Sequence, residues 1–140
     1  MAKRPTLPRA EPAAPRVGLD LVDVPRFSLA VARRGDAFRR RVFTDGEWTY
    51  AGTRAERDRV LAARFAAKEA VLKALGTGWG RGISFKDVEV VGGGRAAPTL
   101  VLHGAAKRRA DALGVTLAIS LSHAGTMASA VALALPTPKS

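Results

Sequence analysis

Residues 65–78 read FAAKEAVLKALGTG, and they belong to the strongest helical pattern in the sequence. At about 100° per residue, one apolar stripe collects the large side chains in and before it: Leu61, Phe65, Leu72 and Leu75. We expect this long helix to begin at a capping box, TRAE at 53–56, and to end at Leu75, because Gly76 follows as a C-terminal stop. A helix with such a stripe buries one face against the core of a domain.

Charged residues lie within that stripe and along its flank. Lys68 falls within it, Glu69 lies on its flank, and Lys73 follows Glu69 four residues later on the same flank. One interpretation is that Lys68 extends its ammonium to water while Glu69 and Lys73 form an ordinary ion pair. Such a pair contributes only about 0.3–0.5 kcal/mol, which is too little to explain a carboxylate at the margin of a core.

A second acidic residue favours another interpretation. Asp20 stands between Leu19 and Leu21 in RVGLDLVDV, where alternation predicts a strand and where an acid lowers strand propensity. A carboxylate withdrawn from water needs a compensating charge, and Mg²⁺ binds one or two carboxylates together with phosphate oxygens. Asp20 and Glu69, with the two lysines beside Glu69, therefore predict a site for Mg²⁺ and a diphosphate.

The rest of the chain divides into short helices and strands. Helices are expected from Asp23 to about Gly35, over DAFRRRVF, after a capping box TDGE at 44–47, and over AAKRRADALG. After the glycine-rich loop GTGWGRG, strands are expected at KDVEVV, PTLVLHG, VTLAISLSH and MASAVALAL, paired as two hairpins. This order predicts an α+β fold with helices packed on one face of a largely antiparallel sheet.

Composition restricts the class of protein. The chain has 140 residues, of which 47% are hydrophobic, and this favours one domain with a real core. Because there is no cysteine, disulfides, zinc thiolates and thiol nucleophiles are excluded. Four of the eight prolines fall in residues 1–15, which we expect to be a disordered arm before a domain at 16–136 and a tail at 137–140. Without a secretory signal or an apolar run of about 20 residues, we expect a cytoplasmic protein with no membrane segment.

The net charge of +11 favours an acidic partner, such as nucleic acid, a phosphorylated ligand, an anionic membrane or an acidic protein. A basic nucleic-acid-binding module is the alternative from another class of function. Aromatic residues make up only 6% of the chain, however, and they are not interleaved with the arginines. A base-stacking platform, and with it a nucleic-acid partner, is therefore not favoured.

Three motifs carry a resemblance to a known family. GLDLVDVPRF at 18–27, RFAAKEAVLKALGTG at 64–78 and SLSH at 120–123 resemble the holo-acyl-carrier-protein synthase type of 4′-phosphopantetheinyl transferase. The resemblance runs in order over about residues 17 to 135. It implies an α+β fold assembled as a homotrimer, with active sites between subunits. It also implies transfer of phosphopantetheine from coenzyme A to a serine of an apo acyl carrier protein, with release of adenosine 3′,5′-bisphosphate.

The resemblance implies roles for individual residues. Asp20 and Glu69 match the acids that hold Mg²⁺ on the diphosphate, and Glu69 is also our candidate for the base that activates the serine. Lys68 and Lys73 match the lysines at the coenzyme A phosphates, and a protonated Lys73 is the candidate for assisting the leaving group. The segments that shape the coenzyme A pocket contribute Arg64, Gly76, Gly78, Ser122 and His123.

Two surfaces are candidates for contacts with proteins. Arg26 and Arg33 share a face of the first helix and Arg34 adjoins them, which is typical either of a solvated basic face or of docking by an acidic carrier-protein helix. The strand MASAVALAL has small residues on one side, which admit either a helix or another subunit, so it is a candidate trimer contact. Trp79, beside the glycine loop, has two interpretations: stacking on adenine or packing at a subunit interface.

Overall fold

The computed structural model describes residues 14–52, 56–80 and 82–138, and it follows the expected order of elements. The strands and helices, in chain order, are β1 (Arg16–Asp23), α1 (Val24–Val42), α2 (Asp45–Gly52), α3 (Arg57–Leu75), β2 (Val88–Val91), β3 (Thr99–Leu102), α4 (Gly104–Leu113), β4 (Val115–Ala124) and β5 (Met127–Pro136). The expected arm falls almost wholly outside the described residues, as does most of the capping box TRAE. None of the described helices is both long and apolar enough to cross a bilayer.

The strands form two antiparallel sheets rather than one. The larger sheet has the order β1-β5-β4, with Asp20 opposite Ala130 and Ser122 opposite Ser129, and the smaller sheet pairs β2 with β3. The α+β class is confirmed, but the expectation of a single sheet was wrong. Alternation predicts which neighbouring strands form a hairpin, whereas hairpins separated by a helix carry no local signal for joining.

Helix α3 is the centre of the domain, because most of its circumference is buried. Its small side chains are at most 1% exposed at Ala66, Ala67, Ala70 and Ala74. They let β1 approach so closely that a Cβ atom on Gly18 would lie 1.8 Å from the carbonyl oxygen of Ala70 and 2.9 Å from the amide nitrogen of Ala74. Because residues two apart on a strand share a face, this packing also turns Asp20 toward α3.

The two faces of β5 have different neighbours. Its small residues are buried, with at most 2% exposure, at Ala128, Ala130, Ala132 and Ala134. The last three belong to the same hydrophobic core as the α3 side chains, so the small side of β5 admits a helix. The opposite side of β1 and β5 exposes large apolar residues, which we call the apolar sheet face: Val17, Leu19, Leu21, Val131, Leu133 and Leu135. An exposed apolar surface of this kind is typical of a protein contact.

The region between β1 and α3 confirms two further expectations. Helix α1 is interrupted at Gly35, where φ is 61° and ψ is −148°, so two helical segments meet there. The capping box at residues 44–47 is present: the backbone N–H of Thr44 donates to Glu47 Oε1 at 2.9 Å, and the N–H of Glu47 donates to Thr44 Oγ1 at 3.2 Å. This box fixes Glu47 at the start of α2, where its side chain is buried.

Candidate active site

Asp20, Glu69 and Lys73 form what we call the acid–lysine cluster, at the contact between β1 and α3. The Lys73 ammonium donates to Asp20 Oδ1 at 3.1 Å and to the carbonyl oxygen of Leu19 at 2.8 Å. Among the described residues, the ion pair of Lys73 is thus with Asp20, and the predicted surface pair of Lys73 with Glu69 is absent. Two segments 53 residues apart in the chain therefore bring their charged side chains together.

Glu69 has a perturbed proton affinity in this cluster. Burial raises the pKa of Glu69 above its ordinary value, a hydrogen bond from Trp79 lowers it, the Asp20 carboxylate raises it and Lys73 lowers it. The influence of Asp20 shows that the two carboxylates lie within electrostatic reach of each other. Two acids whose charges influence each other at the edge of a core are typical of a site that binds a cation when it works.

The donor set of the cluster fits Mg²⁺. Both acids offer carboxylate oxygens, which are the ligands that a hard divalent cation prefers. Within the described ranges, no group of three or more histidine, cysteine or acidic side chains is arranged to hold a metal ion. Two carboxylates with the remaining positions left to water and phosphate is, however, the usual manner of Mg²⁺ binding at phosphate-transfer sites. The cluster thus suits a metal that arrives with a phosphorylated ligand.

Lys68 does not lie at the cluster. Its side chain is fully buried, and its ammonium donates to Glu47 Oε1 at 2.8 Å, to the carbonyl oxygen of Phe85 at 3.1 Å and to that of Val88 at 2.5 Å. These three bonds use every donor of an ammonium group, so none remains for a phosphate. The prediction that Lys68 contacts the coenzyme A phosphates is therefore wrong, and so is the interpretation that it extends to water.

The pairing of Lys68 with Glu47 ties three elements together. Glu47 is 1% exposed, and its Oε2 accepts the backbone N–H of Val90 at 3.0 Å, so α2, α3 and β2 meet at one carboxylate. Burial lowers the pKa of Lys68, and the adjacent Glu47 carboxylate acts in the opposite direction. The sequence shows both residues, but their separation of 21 positions gives no periodic signal that they meet.

A cavity of about 390 Å³ lies beside the first half of α3, bordered by the β2–β3 loop and the end of β4. It brings together three of the residues predicted for the coenzyme A pocket: Arg64, Ser122 and His123. Tyr50 and Arg59 also line it, and sequence patterns did not single out either of them. The volume is in the range of small-molecule sites, and arginine and histidine favour an anionic ligand.

Arg64 builds a wall of this cavity. It is 3% exposed, and its guanidinium donates to the carbonyl oxygens of Val90 and Gly92, the latter at 2.5 Å. The guanidinium also lies over the ring of Tyr50, 4.3 Å from the ring centroid. Arg64 therefore holds the β2–β3 loop in place at the cavity, which agrees with a pocket-shaping role.

The glycine loop after α3 has two parts. Gly76 ends the helix in the left-handed conformation, with φ at 72°, and the guanidinium of Arg16 fills the space where a side chain would stand. A Cβ atom on Gly78 would instead meet no atom of the described residues within 4 Å, so this position opens onto free space among them. The next residue, Trp79, donates its indole N–H to Glu69 Oε1 at 2.9 Å, a contact that neither interpretation of Trp79 included.

The arginines predicted for carrier-protein docking lie on the outside of α1. Arg26, Arg33 and Arg34 are exposed, whereas Phe27 and Val31 of the same helix are buried. Helix α1 therefore presents a basic surface on the side that does not pack against the core.

Comparison with known proteins assigns the family. The model of the 4′-phosphopantetheinyl transferase superfamily matches residues 16–131, which include every member of the acid–lysine cluster. The chain belongs to this superfamily. A transferase of this superfamily from Solibacter usitatus, named holo-[acyl-carrier-protein] synthase, is 44% identical over 111 residues, 79% of this chain and 89% of that protein. The protein of the same name from Rhodopseudomonas palustris strain TIE-1 is 47% identical over 115 residues, 76% of this chain and 77% of that protein.

Solved structures of transferases share the fold. Holo-[acyl-carrier-protein] synthase from Helicobacter pylori in complex with coenzyme A gives a TM-score of 0.73 at 29% identity, covering 84% of this chain and 98% of that one. The Chronobacterium ammoniagenes ACPS–CoA complex gives 0.74 at 33% identity, covering 89% and 99%. With curated relatives 42–47% identical, the chain is an enzyme of the holo-[acyl-carrier-protein] synthase type. The nucleic-acid-binding alternative finds no support among these relatives.

Proposed function

We propose that this transferase moves the 4′-phosphopantetheine arm of coenzyme A to a serine of an apo acyl carrier protein, releases adenosine 3′,5′-bisphosphate and requires Mg²⁺. The observation that carries the proposal is the acid–lysine cluster, in which β1 and α3 place two carboxylates and an ammonium at one edge of the core. The names of the relatives support the carrier protein as acceptor, and both structural relatives named above are complexes with coenzyme A.

Asp20 and Glu69 are the residues that would hold Mg²⁺. When bound, the ion neutralises negative charge that builds on the diphosphate as its bond breaks. Lys73 contributes a positive charge from the protein itself, because its ammonium already stands beside Asp20. The side chain of Lys73 is 54% exposed, so the ammonium can turn from the carboxylate to an incoming phosphate.

The reaction is an attack of the serine oxygen on the β-phosphorus of coenzyme A. The new bond joins the serine oxygen to that phosphorus, and the bond from the phosphorus to the adenosine-bearing phosphate breaks with its electron pair. We assign acceptance of the serine proton to Glu69 and stabilisation of the leaving phosphate to Lys73. Positioning and charge stabilisation are the main contributions of a protein to this kind of transfer.

We assign the nucleotide end of coenzyme A to the cavity lined by Arg64, Ser122 and His123. On α3, Arg64 precedes Lys73 by nine positions, which corresponds to about 13 Å along a helix axis. A ligand as long as coenzyme A covers such a span, whether the cavity and the acid–lysine cluster belong to one protomer or to two. Gly78, with its free space, is assigned to the diphosphate end of the ligand.

The apolar sheet face is the surface we assign to a homotrimer. Leu19 and Leu21 are 58% and 61% exposed in the single chain, and Leu133 on the neighbouring strand is 39% exposed. Covering such a surface stabilises an oligomer by the hydrophobic effect. Leu19→Lys should yield monomers in size-exclusion chromatography with light scattering. A Leu29→Lys control, on the exposed part of α1, should leave the oligomer intact.

Arg26, Arg33 and Arg34 are the residues we assign to docking of the carrier protein. Their exposure on α1 and the net charge of +11 support an acidic partner.

Intact mass spectrometry tests the reaction. Incubation with coenzyme A, Mg²⁺ and an apo acyl carrier protein should add the mass of one phosphopantetheine to the carrier. A chelator, or Asp20→Asn, should abolish the gain, and a carrier whose acceptor serine is alanine should show none. A carrier that keeps its mass in the complete mixture would contradict the proposal.

A further inference from the structure

Trp79 makes a directed contact with the cluster. Its indole N–H donates to Glu69 Oε1 at 2.9 Å, although the two residues are ten positions apart and on different elements. The contact leaves the second carboxylate oxygen, Oε2, for another partner. An indole N–H is a donor only, so it suits an ionised carboxylate and cannot bind the metal itself.

The loop backbone makes this contact geometrically feasible. Gly78 and Gly80, on either side of Trp79, have φ values of 58° and 128°, which residues with a Cβ atom rarely adopt. These conformations fold the loop back onto the end of α3. Glycine at both positions therefore serves to place the tryptophan, in addition to leaving space for a ligand at Gly78.

A column of aromatic rings fixes the indole relative to α3. The Trp79 ring contacts Phe85, with 3.6 Å between ring centroids, and Phe85 stacks on Phe65 with centroids 5.6 Å apart and planes at 19°. Phe65 precedes Glu69 by one turn on α3. The first ring of the column, Phe65, and the last, Trp79, therefore both lie beside Glu69. Such stacking restricts the rotation of the indole and hence the direction of its N–H.

We propose that Trp79 is a positioning residue, which holds the Glu69 carboxylate so that Oε2 points to the Mg²⁺ site. This inference rests on the proposed function, because it takes Glu69 to be a metal ligand. Partners that orient metal ligands commonly change metal affinity or activity by about 10–100-fold when they are removed. Trp79 acts through Glu69 and touches neither metal nor substrate.

The test compares Trp79→Phe with two other variants. Trp79→Phe removes the N–H donor and keeps an aromatic ring, although a smaller one, against Phe85. Trp48→Phe is the matched control, because Trp48 is the other of the two tryptophans and its ring faces the guanidiniums of Arg39 and Arg57. Glu69→Gln tests the metal ligand itself.

Calorimetric titration of Mg²⁺ into the complex with coenzyme A is the primary measurement. We expect the Mg²⁺ dissociation constant to rise about 10-fold in Trp79→Phe, and further in Glu69→Gln, with no change in Trp48→Phe. The KM for Mg²⁺ should rise in parallel in Trp79→Phe, while the KM for coenzyme A changes less than about twofold because the ligand contacts remain.

The outcomes separate the two proposals. If Glu69→Gln weakens Mg²⁺ binding and Trp79→Phe does not, the positioning role is overturned and the metal site stands. If neither variant changes the dissociation constant, the metal role of Glu69 fails and the positioning role fails with it.

Fluorescence provides a test that keeps Trp79 intact. In the Trp48→Phe protein, Trp79 is the single tryptophan, and Mg²⁺ added to the coenzyme A complex should shift its emission. Adding Glu69→Gln should remove that shift. A constant emission spectrum while calorimetry records Mg²⁺ binding would overturn the inference.

Discussion

Substitution by methionine should have different effects at the two lysines of the FAAKEAVLK segment. At Lys68 it should lower stability, and at Lys73 it should lower coenzyme A affinity or turnover. Lys68→Met removes an ammonium that is fully buried against Glu47, and Lys73→Met removes one whose side chain is 54% exposed beside Asp20. Methionine keeps an unbranched side chain of similar length in both cases, so the charge and its hydrogen bonds are the main change.

The expected loss of stability follows from the burial. Glu47 is 1% exposed, so Lys68→Met leaves a buried carboxylate without its cation. The N–H groups of Thr44 and Val90 still donate to that carboxylate. Removing one partner of a buried pair costs about 3–5 kcal/mol, a large share of the roughly 5–15 kcal/mol that stabilises a domain. For a chain of this size that loss corresponds to a fall in Tm of about 10–20 °C. At the exposed Lys73 the change should stay within about 0.5 kcal/mol.

Urea unfolding at one fixed protein concentration measures these differences, with coenzyme A affinity measured by calorimetry well below each Tm. Lys73→Met should keep its stability and lose affinity or turnover. Lys68→Met with Glu47→Gln should recover part of the loss, since no isolated charge remains buried. The reasoning fails if Lys68→Met costs less than about 1 kcal/mol and weakens coenzyme A binding instead, because Lys68 would then act at the phosphates.

Three further predictions concern the fold, the cluster and docking. Gly18→Ala should cost about 1–3 kcal/mol in urea unfolding, because the new Cβ atom meets the backbone of α3. Gly52→Ala, whose new Cβ atom meets no described atom within 4 Å, should cost far less. Burial raises the pKa of Glu69, so folding favours the protonated carboxyl, and this stabilisation is lost as pH rises through the pKa of the folded state. Without Mg²⁺, Glu69→Gln should therefore raise Tm at neutral pH, where Glu69 is ionised, and not at pH 3. Arg26→Glu with Arg33→Glu should raise the KM for the carrier about 10-fold at low salt, and an unchanged KM would remove α1 from the docking surface.

Sequence patterns predicted the fold well where the signal is local. Alternation in β1 and β5, the stop at Gly35 and the capping box at residues 44–47 each depend on neighbouring positions, and each is confirmed. Periodicity also placed Glu69 on the flank of α3, where the charge of Asp20 affects its pKa. These features follow from backbone geometry and capping chemistry, which act over a few residues.

Contacts between distant segments were beyond such patterns. Lys68 was predicted to reach water or a phosphate, and nothing near residue 68 identifies Glu47 as the carboxylate that makes burial of its ammonium tolerable. The sequence places Trp79 beside the glycine loop, yet its hydrogen bond to Glu69 depends on how the loop folds back. In both cases a polar atom found its partner through tertiary packing, which sequence spacing does not encode.

The adjacent residues Lys68 and Glu69 show why an acid and a base stand together at the edge of this core. Successive side chains on a helix point about 100° apart, so one residue can face the interior while the next faces the site. Lys68 fastens α3 to α2 and β2 through Glu47, and this contact fixes the rotation of α3 about its own axis. That rotation decides whether Glu69 lies within electrostatic reach of Asp20 and accepts the indole N–H of Trp79. A substitution that lets α3 turn should therefore weaken the proposed metal site even when every residue of the acid–lysine cluster is intact. By this reasoning, the buried pair of Lys68 and Glu47 supports the proposed site through the backbone and not through contact with substrate.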